Sequence, residues 1–389
     1  MKKVGLITYY GDNYGGVLQA YALERIVTAN GYECELISND FLWIQSGIKR
    51  FQGKWKNLIA AIKNPSDYLA KRKTYHQYAP QQASKAAKFE EFRRNNLRIN
   101  KTGYTTYQEY LRNPPQYDIY LCGSDQIWNP NLYCDNGFYF AGFAPEDALK
   151  ISYASSIGVS SVTGKQAAFM APLLNRLDVV GTREQKGADI INAISEKKAT
   201  VVLDPTLLLD AQAWSEVAAP RLIEEEYVFC YLFGEREYIA EVKRKVAELT
   251  GMKVVCIPFV PRELDSGDEK IFDAGPAEFI SLIKNASLVL TDSFHATAFS
   301  INLKTPFISL CRFAKSDKKG MNDRLVTILN MVGLSDRLVD ADDAISADFL
   351  FDVDFEEAHE RLNRKRQADH RFLLDALCYD KERANYGDL

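Results

Sequence analysis

Short apolar runs alternate with stretches of helical spacing along most of this chain. The first apolar run, residues 4–9, is followed by a turn-rich segment at 11–16 and by apolar residues with helical periodicity from Val17. A second apolar run follows at 34–37. The opening therefore predicts a strand, a helix and a second strand, a unit that places a helix against parallel strands.

The same alternation continues through the first half of the chain. Further buried strands are predicted at residues 118–122, 150–154, 179–181 and 200–203. Each run is short and is followed by turn-forming residues, which is typical of parallel strands connected by helices. These strands predict one doubly wound sheet.

The pattern is interrupted at residues 204–206, and a second series begins after a polar stretch that contains residues 224–226. Its predicted strands lie at 227–234, 253–257, 288–291 and 307–310, and its predicted helices lie at 239–249, 276–285 and from 295 onward. This regular alternation predicts a second doubly wound domain. The predicted fold class is α/β, with two Rossmann-like domains that face a cleft.

The domain boundary is expected near residue 210. The chain has 389 residues, more than a single hydrophobic core usually supports, so two domains are expected on length as well. We assign residues 1–210 to an N-terminal domain and residues 211–389 to a C-terminal domain. The charged helical end, 355–384, is a candidate to pack back on the N-terminal domain.

Composition narrows the functional classes. The formal net charge is only −4, so a general electrostatic attraction to nucleic acid is not expected. Seven cysteines and four histidines are dispersed along the chain, and this pattern predicts reduced cysteines and no structural metal site. The opening apolar run is too short for a secretory signal, and no window approaches the roughly 20 apolar residues of a membrane span. We therefore expect a cytoplasmic protein.

One stretch departs from the balanced charge. Residues 49–73, inside an expected helical insertion at about 41–100, carry eight Lys or Arg and one acid, interleaved with apolar residues. One interpretation is a solvated helical face whose apolar side packs on its own domain. The other is a surface for an anionic partner, such as lipid of the inner membrane or a lipid-diphosphate-linked sugar.

Ligands of doubly wound domains bind beyond the carboxyl ends of the strands, and several polar motifs lie there. Six segments, taken together in their order and spacing, resemble the polysaccharide pyruvyltransferase family. They are Gly11-Asp12-Asn13-Tyr14-Gly15-Gly16-Val17-Leu18-Gln19-Ala20, Gly123-Ser124-Asp125-Gln126-Ile127-Trp128-Asn129, Arg183-Glu184, Asp204-Pro205-Thr206, Gly275-Pro276-Ala277-Glu278-Phe279 and Thr291-Asp292-Ser293-Phe294-His295-Ala296-Thr297. The resemblance extends from Gly5 to about Leu334.

The resemblance implies a fold like the two-domain glycosyltransferases of the B type and a transferase of exopolysaccharide or capsule synthesis. The donor would be phosphoenolpyruvate and the acceptor a sugar of a polysaccharide or lipid-linked oligosaccharide precursor, with a pyruvate ketal as product and without a metal or other cofactor. Two rival functions remain open on the same architecture. One is a glycosyltransferase that uses a nucleotide sugar, and the other is a non-catalytic glycan-binding relative.

Ketal formation from an enol phosphate needs an acid/base group and a cation that binds the donor. His295 follows a predicted buried strand and is the candidate acid/base, because the ordinary histidine pKa lies near neutrality. Arg183 also follows a strand and is expected to face phosphate or carboxylate, for which the guanidinium is suited. An ordinary interdomain ion pair is the alternative for Arg183.

This sequence departs from the family at one donor position. Many members have an arginine two residues before the histidine, whereas this chain has Ser293, which has no charge. Arg312, Lys304 or Arg324 could supply the missing cation. Ser293, Phe294, Arg312 and Arg324 are the predicted donor-binding residues.

Two segments of the N-terminal domain are predicted to bind the acceptor. Asn13, Tyr14, Gly15 and Gly16 precede a helix and could bind an anion or sugar hydroxyls, or could form no more than a tight turn.

Ser124 and Gln126 are also predicted on the acceptor side. Asp125 is a candidate to orient or deprotonate the acceptor hydroxyl, with a helix N-cap as the alternative. Trp128, like Tyr14, could stack on a sugar ring or belong to the core.

Overall fold

The computed structural model describes residues 1–42, 77–132, 136–264, 266–313 and 322–380, apart from the side chains of 261 and 262. The predicted basic segment, residues 49–73, lies outside the described residues. Two parallel sheets organise the described chain, so the predicted α/β fold class is confirmed.

The first sheet is built from the N-terminal half of the chain. Its strands are β1 (Lys3–Ile7), β2 (Glu33–Ile37), β3 (Ile99–Asn100), β4 (Ile119–Cys122), β5 (Leu149–Ser155), β6 (Val179–Thr182) and β7 (Ala199–Val201). All described pairings are parallel, in the order β3-β2-β1-β4-β5-β6-β7. The order reverses between β1 and β4, so a crevice opens where these two strands end.

The second sheet repeats this plan. Its strands are β8 (Tyr227–Tyr231), β9 (Lys253–Cys256), β10 (Glu269–Lys270), β11 (Leu288–Thr291), β12 (Phe307–Leu310) and β13 (Leu338–Val339). Their order is β10-β9-β8-β11-β12-β13, again parallel, with the reversal between β8 and β11. The crevice of this sheet therefore lies where β8 and β11 end.

Helices connect the strands and cover the sheets. Those of the N-terminal domain and the connection are α1 (Tyr14–Ala29), α2 (Ala79–Asn96), α3 (Tyr107–Arg112), α4 (Gly164–Asn175), α5 (Gln185–Ile194), α6 (Pro205–Leu208) and α7 (Ala211–Ser215). The remaining helices are α8 (Glu237–Thr250), α9 (Pro261–Leu264), α10 (Pro276–Lys284), α11 (Phe294–Leu303), α12 (Asp323–Val332), α13 (Ala347–Phe351) and α14 (Phe355–Leu377). Two single-turn 3₁₀ helices lie at Phe138–Phe140 and Ser335–Arg337.

Helix α1 joins the two domains. It is apolar on nearly every face, which is typical of a helix enclosed by protein. It packs against α6 and against α10 and α11 of the second domain, so one apolar cluster extends through both domains. The Tyr14 hydroxyl donates to the Ala274 carbonyl at 2.7 Å, and the Tyr14 ring stacks on Phe279 at 4.4 Å between centroids. The two crevices are thereby held facing each other.

Helix α14 returns to the first sheet. Its Asp369 carboxylate accepts a hydrogen bond from the Leu203 amide at 2.7 Å, and its Lys365 ammonium donates to the Val201 carbonyl at 2.8 Å. The terminal helix therefore contacts the end of β7 and the segment that leaves it. No helix in the described ranges is both long and apolar enough to cross a membrane.

Candidate active site

A cavity of ≈ 210 Å³ lies between the domains, where β1, β4, β8 and β11 end. Both domains contribute to its wall, as the fold requires of two crevices that face each other. The polar and aromatic lining residues include Tyr9, Asn13, Asp125, Gln126, Phe233, Ser293, Phe294, His295, Arg312 and Arg324, with Gly15 beside them. We call this cavity the interdomain pocket.

His295 lies in the first turn of α11 and lines the interdomain pocket. Ser293 caps the helix, because its hydroxyl accepts a hydrogen bond from the Ala296 amide at 3.5 Å. Gly15 of α1 lies directly against the imidazole ring. A Cβ atom at Gly15 would be 1.9 Å from Nδ1 of His295, so only glycine leaves room for the ring in this position.

Asp204 lies behind the imidazole, in the connection between β7 and α6. Its Oδ2 atom is 3.7 Å from Nε2 of His295, which is an ion-pair distance rather than a hydrogen bond. Nε2 is shielded from solvent and has no hydrogen-bond partner within the described ranges. The Asp204 carboxylate therefore faces Nε2 without a hydrogen bond between them.

Asp204 is fully paired by other groups. Oδ2 accepts from the Ser124 hydroxyl at 2.7 Å, and Oδ1 accepts from the Thr206 hydroxyl at 2.7 Å and the Thr206 amide at 3.0 Å. Burial alone would raise the pKa of Asp204, but His295, Arg183 and the Thr206 amide together hold that pKa far below its usual range. Asp204 is therefore a stable carboxylate at neutral pH.

Arg183 does not line the interdomain pocket, and this corrects the prediction that it faces the donor. Its side chain is 1% exposed, and Nη1 donates to Asp204 Oδ2 at 2.8 Å. Its guanidinium also lies 4.4 Å above the Phe294 ring and 3.8 Å from Asp125. Arg183 does form an ion pair, as the alternative held, but within the N-terminal domain rather than between the domains, and this pair holds Asp204 beneath the pocket.

Arg312 lines the interdomain pocket and is also paired. It donates to Asp292 Oδ2 from Nε at 3.1 Å and to the Asp292 carbonyl from Nη2 at 2.9 Å. Asp292 in turn accepts from the backbone amides of Phe233 at 2.9 Å and Gly234 at 2.6 Å. The ion pair therefore joins the ends of β11 and β12, and the backbone hydrogen bonds to Asp292 add the end of β8.

Arg324 and Lys304 differ in position. Arg324, in the first turn of α12, lines the interdomain pocket, whereas Lys304 is exposed and ends α11. Helix α11 has ten residues, so about 15 Å of helix separates Lys304 from the pocket end. The suggestion that Lys304 supplies the cation missing at Ser293 is wrong.

Asn13 and the first turn of α1 form one wall of the interdomain pocket. Asn13 accepts from the Gly16 amide at 3.0 Å and so caps α1. Asn13 and Gly15 line the pocket, whereas Tyr14 points into the domain interface and is 2% exposed. Gly16 packs against the Tyr9 ring. The core interpretation of Tyr14 is the one observed.

Some residues of the predicted acceptor segment after β4 line the pocket, whereas others are buried in the core. Asp125 and Gln126 line the pocket, and Asp125 has a φ of +66°, a left-handed turn conformation rather than a helix N-cap. Ser124 is fully buried on Asp204, and Trp128 is buried with its indole N–H donating to the Tyr139 carbonyl at 2.9 Å. Trp128 is therefore a core residue.

In the described part of the chain, no three side chains of His, Cys, Asp or Glu come together as a metal site would require. The chemical groups at the pocket are instead one imidazole, two guanidinium groups and two carboxylates, Asp125 facing the cavity and Asp204 beneath His295.

A sequence model of the polysaccharide pyruvyl transferase family matches residues 13–310, well over half of the chain. The chain belongs to this family. The resemblance predicted from six sequence segments is thereby confirmed, and all of the pocket residues named above except Tyr9, Arg312 and Arg324 lie inside the matched range. No curated protein sequence matches the chain.

Three solved structures resemble this chain at low sequence identity, each with a TM-score below 0.5. The putative UDP-N-acetylglucosamine 2-epimerase from Listeria monocytogenes is 10% identical, over 97% of this chain and 95% of its own, with a TM-score of 0.48. The UDP-GlcNAc 2-epimerase from Methanocaldococcus jannaschii in complex with UDP-GlcNAc and UDP is 13% identical, over 97% and 99%, with a TM-score of 0.48. The E. coli heptosyltransferase WaaC is 12% identical, over 93% and 99%, with a TM-score of 0.39.

Sequence reasoning missed the central position of Asp204. The Asp204-Pro205-Thr206 segment was part of the family resemblance, but no chemical role followed from it. Its position beside His295 depends on contact between residues 91 positions apart, which local sequence patterns do not reveal. The sequence signal that could have indicated this position is an aspartate directly after a predicted strand, followed by proline and threonine.

Proposed function

We propose that this protein transfers the pyruvyl group of phosphoenolpyruvate to a sugar, forming a pyruvate ketal and releasing phosphate. The observation that carries the proposal is the joint placement of His295 over Asp204 in an interdomain pocket that also presents guanidinium groups. Membership in the polysaccharide pyruvyl transferase family supports the same reaction.

The reaction requires a proton at the methylene carbon of the donor. We assign this proton to His295, because it is the imidazole that lines the interdomain pocket and the Asp204 carboxylate lies 3.7 Å from its Nε2. Protonation turns the methylene into a methyl group and leaves the adjacent carbon electron-poor. Attack by one sugar hydroxyl, departure of phosphate and attack by a second hydroxyl complete the ketal. One hydroxyl proton restores the charge on the histidine, and the other leaves with phosphate.

Asp125 is the group we assign to the acceptor hydroxyl. It lines the interdomain pocket from the N-terminal side, opposite His295 and Ser293 of the C-terminal domain. Gln126, which lines the pocket beside it, accepts a hydrogen bond from the Asn129 side chain at 2.9 Å. Asn13, Gly15 and Gln126 complete the proposed acceptor side, whereas Tyr14, Gly16 and Ser124 act through packing.

The acceptor we propose is a polysaccharide precursor, in the form of a lipid-diphosphate-linked oligosaccharide, made on the cytoplasmic side of the inner membrane. The basic residues at 49–73 support this proposal through charge alone. Sedimentation with anionic vesicles at low salt, reversed by high salt, is the expected result. Equal sedimentation with neutral vesicles would exclude the electrostatic contact.

Mass spectrometry of glycan acceptors tests the reaction itself. Incubation with phosphoenolpyruvate is expected to add one pyruvate less one water to an acceptor, with one phosphate released per transfer. His295→Gln, which keeps the size and polarity of the side chain, is expected to lose transfer while remaining folded. A product that forms only from a nucleotide sugar would identify the protein as a glycosyltransferase instead. Tight glycan binding without any product would identify a non-catalytic binding protein.

A further inference from the structure

Three arginines surround the interdomain pocket, but their partners differ. Arg183 is engaged by Asp204, and Arg312 is engaged by the side chain and backbone of Asp292. Both charges are therefore balanced by buried carboxylates of the protein. The exposed fractions of those carboxylates are close to zero, so neither partner is free to move away into solvent.

Arg324 has no such partner. Within the ranges that the structure describes, it makes no ion pair and no hydrogen bond, although it lines the pocket. Its Nε atom has no solvent contact, so water does not replace the missing acceptor. A guanidinium N–H group without an acceptor is costly when it is shielded from water.

The neighbouring charges make this position still less favourable in the absence of a ligand. Burial and the positive charge of Arg183 together lower the pKa of Arg324 to about 10, although the charges of Glu184 and Asp125 oppose this shift. The guanidinium nevertheless stays protonated at neutral pH. The pocket therefore contains a cation whose natural complement is an anionic ligand.

We infer that Arg324 is the residue that holds the phosphate group of the anionic donor, an assignment that rests on the proposed function. A planar guanidinium forms paired hydrogen bonds with a phosphate, which a lysine ammonium does not reproduce. Ser293 lines the same pocket and adds a neutral hydroxyl. In the proposed reaction Arg324 stays bound to the phosphate as its bond to carbon breaks, and the developing negative charge is neutralised there.

Arg324→Gln, Arg324→Lys and wild type are the variants to compare, by calorimetric titration with phosphoenolpyruvate and with inorganic phosphate. Gln is expected to weaken both affinities by roughly 10- to 100-fold, because a charge-assisted pair is lost. Lys is expected to recover part of the affinity for both ligands. Arg364→Gln is the matched control, since the Arg364 side chain on α14 is 74% exposed and pairs with Glu360 at 3.5 Å.

Thermal unfolding separates this role from a structural one. An arginine that stabilises the fold would lower the melting temperature when replaced. Arg324→Gln is instead expected to leave the melting temperature of the free protein unchanged or raised, and to abolish the increase that phosphoenolpyruvate causes in wild type.

A double variant adds a positive test. Ser293→Arg places a guanidinium on another wall of the same pocket. In the Arg324→Gln background it is expected to restore at least part of the donor affinity.

The outcomes distinguish this inference from the proposed function. Wild type that binds phosphoenolpyruvate, with an equal affinity in Arg324→Gln, would overturn the role of Arg324 and leave the reaction standing. A large loss of thermal stability in ligand-free Arg324→Gln would overturn it as well. Wild type that binds neither phosphoenolpyruvate nor phosphate would overturn both proposals.

Discussion

Gly15→Ala tests whether His295 must occupy its observed position. Gly15 lies in the first turn of α1 and has no positive φ, so alanine suits its backbone and would improve helix propensity by up to about 1 kcal/mol. The added Cβ, however, would lie 1.9 Å from Nδ1 and 2.3 Å from Cγ and Cε1 of His295. Ordinary contact requires about 3.4 Å, so the imidazole must move by roughly 1.5 Å.

This displacement has a cost in stability and a larger cost in activity. Overpacking of a buried site costs about 1–3 kcal/mol, from which the gain in helix propensity is subtracted, so the protein is expected to stay folded. A misplacement of about 1 Å in a catalytic group reduces turnover by roughly 100-fold. We therefore expect kcat for pyruvyl transfer to fall by at least that factor.

Steady-state release of phosphate from phosphoenolpyruvate is the assay, with circular dichroism to verify folding. Gly164→Ala is the matched control, because Gly164 starts α4 and a Cβ there meets no atom within 4 Å. That variant is expected to keep full activity. Wild-type kcat in a folded Gly15→Ala protein would refute the requirement for the observed ring position.

Two further substitutions test buried carboxylates. Asp204→Asn leaves the buried Arg183 without its main partner and should lower the free energy of unfolding by roughly 3–5 kcal/mol at pH 7 in urea titrations. Because folding lowers the pKa of Asp204, the stability difference between wild type and Asp204→Asn should persist above pH ~4 and shrink as the pH falls below that value. A stability difference that stays constant down to pH 2 would contradict this expectation. The pKa of Glu24 is shifted in the opposite direction, because burial raises it from 4.5 to about 7. The folded protein therefore keeps the Glu24 proton at a pH where the unfolded chain has lost it, and the free energy of unfolding of wild type falls as the pH rises from 4.5 through 7. Glu24→Gln should therefore be more stable than wild type at pH 8, by up to roughly 3 kcal/mol, and equal to it at pH 4, whereas a lower melting temperature at pH 8 would contradict the assignment.

The sequence predicted the sheets well because their central strands are continuous apolar runs. The strands at 288–291 and 307–310 have the predicted bounds, and the predicted strand ends carry most of the pocket residues. The strands β3, β10 and β13 were not predicted, since each has only two residues and is defined by pairing with a neighbour rather than by a pattern of its own.

The roles of individual side chains were harder to predict than their neighbourhood. His295, Asp125, Arg312 and Arg324 line the pocket, whereas Arg183 lies beneath it. Whether a charged side chain faces a ligand or a buried partner depends on tertiary contacts, and Asp204 is 21 positions away from Arg183.

Tyr14 shows the same limit for an aromatic residue. Its predicted position in the turn between a strand and a helix was compatible with stacking on a sugar ring. In the structure, its hydroxyl donates to the Ala274 carbonyl and its ring stacks on Phe279. Both partners belong to the second domain, so only the packing of the two domains reveals the role of Tyr14.

Transfer carried out in heavy water tests the central claim most directly. If protonated His295 delivers a solvent-exchangeable proton to the methylene carbon of phosphoenolpyruvate, each ketal methyl group should contain one deuterium, which mass spectrometry or NMR detects in the isolated glycan. His295→Gln should yield no labelled product. A ketal without deuterium, or an unchanged rate of labelling in the variant, would contradict the account.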